Sequence, residues 1–352
     1  MPRKLLWYRL KTLIIISLIW ILFGVVFFEN LVSRSNDLGV QVSLFRFAVI
    51  FGIIGFIITG ILIFFLKPRF NHLPLGLSLV IKMAITLLLY VIIAFVLLLI
   101  YYVLMYNGNF EQYLNSFFTK ILLTRTYTIF MVDMALMTLL SMIFLEVSDS
   151  YGPGMFWNIL VGEYHNPKIE NRIFIFLDIN ESTTIAEQLG HEEYFRMLRR
   201  FYADLTLPVI ANDGEIYQYV GDEIVVTWPN TSENKIKALK FIRNTHYLIE
   251  RNRGKYLKRF KKVPAFKAGI HAGEVTVGFV GVIKRVLIYC GDTLNTAARI
   301  RSMCHELNEH YILSDDFMQD FYQPHGYDIN PIGEIELKGR LEPTKLYSMT
   351  FE

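Results

Sequence analysis

"EIYQYVGDEIVVTW", residues 215–228, reads as two strands broken at Gly221-Asp222. Apolar and polar residues alternate from Ile216 to Val220, and Ile224, Val225 and Val226 resume beyond the break. Glycine accepts the positive φ that a tight hairpin turn requires. Two acids, Asp222 and Glu223, stand where a sheet would otherwise continue apolar. Either they are solvated turn residues or a carboxylate is being presented to a ligand.

Outward from this hairpin the pattern is that of an α+β domain. "RIFIFLDI" (172–179) is a dense apolar run, predicted to be a buried strand closing on Asp178. Ser182 and Thr183 then open a helix. Tyr194, Leu198, Phe201, Leu205 and Val209 recur at helical spacing up to Asp213-Gly214, and Pro208 is expected to kink or end it. A charged helix is predicted over 232–253. "FKAGIHAGEVTVGFVG" (266–281) predicts a second strand pair turning at Ala272-Gly273-Glu274. "VLIYCGD" (286–292) reads as a strand, "TLNTAARIRSM" (293–303) as a helix, and residues 332–350 as two short strands around Gly339-Arg340. This order predicts helices on one face of a largely antiparallel, ferredoxin-like sheet.

The chain has 352 residues, 53% of them hydrophobic, which is too apolar for an ordinary soluble domain. The excess is uneven: residues 1–145 hold 15 of the 67 charged residues. Residues 12–28, 47–66 and 83–110 carry no charge, and 127–145 contains only Asp133. Crossing the hydrocarbon takes about 20 apolar residues, so four helical spans are expected. Bulky Phe27-Phe28-Glu29-Asn30 offers no small-residue cleavage site after the first, which therefore reads as a retained helix. Arg3, Lys4, Arg9 and Lys11 precede the first span and Lys67 and Arg69 follow the second, against Arg34 alone after the first. Lys120 and Arg125, after the third, run mildly against this bias. The bias predicts a multi-pass protein of the cell inner (plasma) membrane with both termini cytoplasmic. Arg46 and Lys82 are expected to snorkel at span ends. Asp133 either faces a ligand or partner helix, or lies about one turn from the interface.

The predicted domains are thus a four-helix membrane domain (1–145), a linker (146–168) and a cytosolic domain (169–352). Gly152-Pro153-Gly154 breaks the linker, whose residues 155–161 are amphipathic. Residues 146–352 hold 24 Lys plus Arg against 28 Asp plus Glu, and a mildly acidic domain is a poor nucleic-acid partner. The only cysteines, Cys290 and Cys304, give neither a disulfide framework nor a cysteine-rich metal site.

In a ferredoxin-like sheet, Asp178 at a strand end and Asp222 in the adjacent turn can be neighbours. Two carboxylates so placed repel unless a cation neutralises them, and hard oxygen ligands suit Mg²⁺ with substrate phosphates. Asp222 is therefore read as presented to metal, and Glu223 as its solvated neighbour. Asn295 and Arg299 are four apart and share a helix face. Arginine's planar fork matches phosphate, and asparagine can orient a hydroxyl or ribose oxygen.

"FLDINESTTIAEQLG", "GEIYQYVGDEIVV", "FKAGIHAGEVTVGFVG" and "GDTLNTAARI" resemble, in order, the blocks of the class III nucleotide cyclases, over about residues 165–352. The resemblance implies that Asp178, Asp222 and the backbone carbonyl of Ile179 hold two Mg²⁺ or Mn²⁺ ions per site. It implies that Asn295 orients the ribose, that Arg299 stabilises the transition state, and that Lys338 binds phosphate. The implied reaction is attack of a nucleoside triphosphate's 3′-hydroxyl on its own α-phosphate, with pyrophosphate leaving, in a homodimer with shared sites. Adenylate-making members typically carry Lys, and Asp or Thr, where this chain has Gln218 and Ile288. Glutamine can contact either purine and isoleucine forms no hydrogen bond, so ATP is favoured over GTP without being fixed. "VGDEI" also resembles the diguanylate cyclase loop, but Val220 replaces its first Gly and "GDTLNTAARI" has no place there. A non-catalytic nucleotide-binding membrane receptor is the remaining alternative, and a complete Asp, Asp, Asn, Arg set argues against it.

Overall fold

The computed structural model describes residues 3–34, 44–106, 110–122, 124–151, 161–321, 324–339 and 342–351. The chain divides into two compact units, Leu6–Tyr151 and, together with Met1–Leu5, Gly152–Glu352. In the first unit, α1 (Arg3–Arg34), α2 (Leu44–Ile61), α3 (Lys67–Phe70), α4 (Leu75–Tyr106), α5 (Phe110–Ser116) and α6 (Arg125–Tyr151) follow one another. A π-helical turn, Leu62–Leu66, joins α2 to α3. Among the described residues, four stretches are long and apolar enough to cross a membrane: Leu6–Phe28, Leu44–Phe70, Leu75–Val96 and Tyr127–Ser150. Lys82 does not snorkel. It is 3% exposed and its Nζ lies 3.2 Å from Glu146 Oε1 on α6, because a buried cation needs a partner. Asp133 is half-buried on α6. The last helix runs on to Tyr151, past the expected start of the linker. Apart from exposed Val161, the amphipathic piece lies outside the described residues.

The second unit is built on β1 (Lys168–Ile179), α7 (Ser182–Leu189), α8 (His191–Ala211), β2 (Glu215–Val220) and β3 (Glu223–Pro229). It continues with α9 (Ser232–Arg251), α10 (Arg253–Phe260), β4 (Phe266–Val280), β5 (Val286–Cys290) and α11 (Asp292–Glu306). β6 (Tyr311–Ser314), α12 (Asp315–Met318), β7 (Tyr327–Ile335) and β8 (Thr344–Phe351) complete it. The sheet runs β2-β3-β1-β4-β6-β8-β7, with β5 paired to β4. Among the described residues only β4 and β6 pair in parallel, and the β1–β4 portion has the expected ferredoxin-like order.

Helices cover both faces of this sheet, not one. The reason is β1, which is apolar on both sides. Ile173, Ile175 and Leu177 pack with Met197 and Phe201 of α8 and Leu239 of α9, while Phe174 and Phe176 pack with Ala297 of α11 and Tyr289 of β5. A strand with two greasy faces needs two covers.

Three further expectations are corrected. β4 runs unbroken through Ala272-Gly273-Glu274. Gly273 is there for close approach: a Cβ would stand 2.7 Å from Thr293 Oγ1, whose hydroxyl donates to Glu274 O at 2.7 Å. Pro208 lies inside α8, which continues to Ala211, and Asn212 Nδ2 donates to the Pro208 carbonyl at 2.7 Å. The helical break falls instead at Gly190, where φ is 77°.

Candidate active site

The register brings the end of β1 beside the start of β3, with Asp178 directly across from Glu223. Gly221, at φ 62°, makes the β2–β3 turn and delivers Asp222 to the same place. From α8, the Tyr202 hydroxyl lies 2.9 Å from Gly221 O and 3.2 Å from Glu223 O, and the Tyr202 ring sits 4.6 Å from that of Tyr219. Burial raises the phenol's pKa, so Tyr202 keeps its proton and remains a donor. The turn is clamped from below.

Asp222, next to Glu223 in the turn, thereby becomes a neighbour of Asp178. Burial and the neighbouring Asp222 carboxyl push the Asp178 carboxyl up to about 7, against the pull of Arg301. Ile179 is buried. Glu223 is not a solvated neighbour: its side chain is 13% exposed and 2.7 Å from Arg301 Nη2. Beside this group lies a cavity of about 420 Å³, lined among others by Asp178, Ile179, Thr183, Lys267, Arg301 and His305. That volume suits a small polar ligand. Lys267 stands across from Asp178 in the β1–β4 register and donates to Cys304 O at 3.0 Å.

Asn295 and Arg299 gather elsewhere. Asn295 is exposed on α11. Arg299 is half-buried, with Nη1 3.8 Å from Asp292 Oδ1 and shielded from solvent without a hydrogen bond. A Cβ at Gly339 would stand 3.3 Å from its Nη2, so the Lys338-Gly339 turn runs alongside it, Lys338 itself being exposed. One chain therefore presents a carboxylate pair, and a separate arginine–lysine group on the far side of α11.

Gln218 and Ile288 are both half-buried, paired across to Val225 and Gly278 respectively. Their strands meet through the intervening neighbours: Tyr217 and Tyr289 lie 5.0 Å apart between ring centroids, and Tyr289 N donates to Tyr217 Oη at 3.3 Å. A bulge between Ile216 and Gln218 lets Tyr217 turn to this face. Sequence reasoning missed Lys267, Arg301, Tyr202 and the pairing of Glu223. Only the strand register and the packing of α8 and α11 bring them to the carboxylates.

The family model for the adenylate and guanylate cyclase catalytic domain matches residues 165–350. "Adenylate cyclase 2" of Rhizobium meliloti (strain 1021) is 32% identical over 207 residues, 58% of this chain and 57% of its own length. "Adenylate cyclase 1" of the same organism is 28% identical over 179 residues, 50% of this chain and 27% of its own. The chain thus spans less than two thirds of either relative. A solved bacterial light-regulated adenylyl cyclase superposes with a TM-score of 0.55 at 18% identity, covering 65% of this chain and 67% of that one, a likeness of fold. With the matched residues taking in both the carboxylate pair and α11, this chain belongs to the adenylate and guanylate cyclase catalytic domain family.

Proposed function

We propose that the chain is a membrane-embedded, homodimeric adenylate cyclase that converts ATP to cyclic AMP and pyrophosphate for intracellular signalling. The observation that carries this reading is the Asp178–Asp222 pair beside the cavity. Two half-buried carboxyls placed side by side repel when ionised, and are a natural seat for a hard divalent cation. Asp178, Asp222 and the Ile179 carbonyl would hold two Mg²⁺ or Mn²⁺ ions. Bound there, such ions supply positive charge that acidifies the ribose 3′-hydroxyl and neutralises the triphosphate.

The 3′-oxygen attacks the α-phosphorus, the bond from that phosphorus to the pyrophosphate oxygen breaks, and the hydroxyl proton passes to solvent. Arg299 faces the charge that gathers on the α-phosphoryl oxygens. Asn295 orients the ribose and Lys338 holds phosphate oxygens. Gln218 contacts the base, and Ile288 gives it an apolar wall.

Two copies are needed because α11 turns Arg301, not Arg299, towards its own Asp178. A second chain then brings Asn295 and Arg299 to the carboxylate pair, and two-fold symmetry makes two equal sites. The four apolar helices and the Lys and Arg at the start of α1 and in α3 support a multi-pass protein of the inner (plasma) membrane, with both termini cytoplasmic. The adenylate cyclase names of both Rhizobium meliloti relatives favour ATP. The Gln218 amide keeps GTP as the second reading, since it can donate to a purine oxygen.

The test is to incubate the detergent-purified full chain with Mn²⁺ and either ATP or GTP, and to identify the cyclic product by mass. Cyclic AMP that disappears in excess chelator is expected. Cyclic GMP as the dominant product would overturn the choice of base. Cyclic di-GMP, or no cyclic product from either nucleotide, would overturn the chemistry.

A further inference from the structure

Three acidic side chains converge where β1 meets the β2–β3 turn, and one cation enters among them. Arg301 Nε and Nη2 lie 2.8 and 2.7 Å from Glu223 Oε2, and its Nη1 lies 3.2 Å from Asp178 Oδ2. One guanidinium therefore bridges two carboxylates. Its backbone is fixed as firmly: a Cβ at Gly269 of β4 would stand 2.3 Å from Arg301 N and 2.7 Å from its Cα. Strand and helix touch at this residue, so the fork is carried to the carboxylates by packed backbone. The Arg301 and Glu223 side chains are 30% and 13% exposed, which sets the pair apart from an exposed surface ion pair.

Affinity for a hard cation rises with the number of carboxylates free to ligate it. Asp178, Asp222 and Glu223 left uncompensated would make a strong trap for any divalent ion. Arg301 cancels one of their charges and engages Glu223 from two nitrogens. Resting on the reading of Asp178 and Asp222 as metal ligands, we propose that Arg301 is a built-in counter-cation that withholds Glu223 from the metal site. It keeps the nucleotide-free site weak for divalent cations, so that metal enters together with the triphosphate. The triphosphate brings the negative charge that Arg301 has cancelled, and the cavity already lined by Arg301 and Lys267 offers cations to its oxygens.

The test is a Mn²⁺ titration of the nucleotide-free, full-length protein in detergent micelles, with free Mn²⁺ read by electron paramagnetic resonance. Arg301→Gln should tighten binding by about tenfold or more, because three carboxylates then face the ion. Glu223→Gln should weaken it by about tenfold or more, because the guanidinium is left to Asp178 alone. Arg301→Lys, which keeps the charge, should stay within about threefold of wild type. Both neutral variants break the same ion pair, so a merely structural brace would move them in the same direction. Shifts of like sign, or no shift in either, overturn the proposal. If one variant fails to fold, the sign of the other decides. A wild-type protein that binds no Mn²⁺ even with a non-cyclisable ATP analogue, or an Asp178→Asn variant that binds undiminished, would remove the metal reading itself.

Discussion

Arg299 and Arg301 stand two positions apart on α11 and point to different partners: Arg301 Nη1 lies 3.2 Å from Asp178, while Arg299 lies beside Asp292 and the 338–339 turn. A helix advances about 100° per residue, so side chains two apart lie on opposite flanks. The carboxylate pair and Arg299 thus belong to different surfaces of one chain.

A complementation experiment follows from that separation. On the proposed reading, Asp222→Ala removes a metal ligand, and Arg299→Ala removes a phosphate donor worth about 3 kcal/mol of transition-state stabilisation, or roughly two decades in kcat. Each variant alone should be nearly inactive. Co-assembled, they leave one composite site with both groups intact, and turnover should recover towards a fraction of the wild-type rate. Absence of recovery in heterodimers proven by pull-down would mean that each chain builds its own site.

Metal binding and pH should be coupled through Asp178. Its folded carboxyl is held up to about 7, above the ordinary value of 3.8, so in the metal-free protein its contribution to stability is present at low pH. That contribution is lost as pH rises through 7, because the ionised carboxylate then sits buried beside Asp222. Mn²⁺ needs the ionised form and displaces the proton. The rise in Tm on saturation with Mn²⁺ should therefore be larger near pH 8 than near pH 5.5. Apparent affinity should fall by up to about tenfold per pH unit below 7. An increment in Tm that is constant across this range would exclude Asp178 as the titrating ligand.

Tyr202 is the support of the turn that carries Asp222. Replacing it with Phe keeps the ring against Tyr219 and removes the hydroxyl that serves Gly221 O and Glu223 O. The expected loss is about 1 kcal/mol of stability, a typical net value for one such bond. The apparent Mn²⁺ requirement should rise several-fold with little change in saturated rate, as the turn loosens. A Tyr202→Phe protein with wild-type Tm and metal dependence would show that the clamp is dispensable.

Local patterns in the sequence were enough for the Gly221-Asp222 hairpin, the apolar spans and the helix carrying Asn295 and Arg299. Each depends on neighbours in the chain: glycine's φ, a charge-free run, a four-residue spacing. What escaped depends on distant pairings. Gly273 has the look of a turn residue, yet its role is to admit Thr293 of α11. Lys82 finds Glu146 across 64 positions and Arg301 finds Glu223 across 78, separations over which no periodicity acts. Lys267 faces Asp178 only through the β1–β4 register. The apolar density of β1 did contain the clue to a second helical layer, since alternating Ile and Phe leave neither face polar.

The proposed assignment of the base to Gln218 and Ile288 is tested by a double substitution. Guanylate-making members of the family are similar in carrying Glu at the Gln218 position and a small Cys or Ser at the Ile288 position. Glutamate would accept from the ring N–H and exocyclic amine of guanine, whereas the Gln218 amide offers one acceptor and one donor. On the proposed reading Ile288 would leave a polar edge unpaired, at about 1 to 3 kcal/mol for each buried group, and guanine has more such groups than adenine. Gln218→Glu with Ile288→Cys should therefore lower kcat/KM for ATP and raise it for GTP, with a combined change in preference of about two decades. Gln218→Glu alone should give part of the change, because Ile288 still blocks one edge. Both positions lie beside the Tyr217–Tyr289 contact, so Tm must be measured alongside to show that this packing survives. A double variant that keeps its Tm and the wild-type ratio of kcat/KM for ATP to that for GTP would show that the purine is read by other residues.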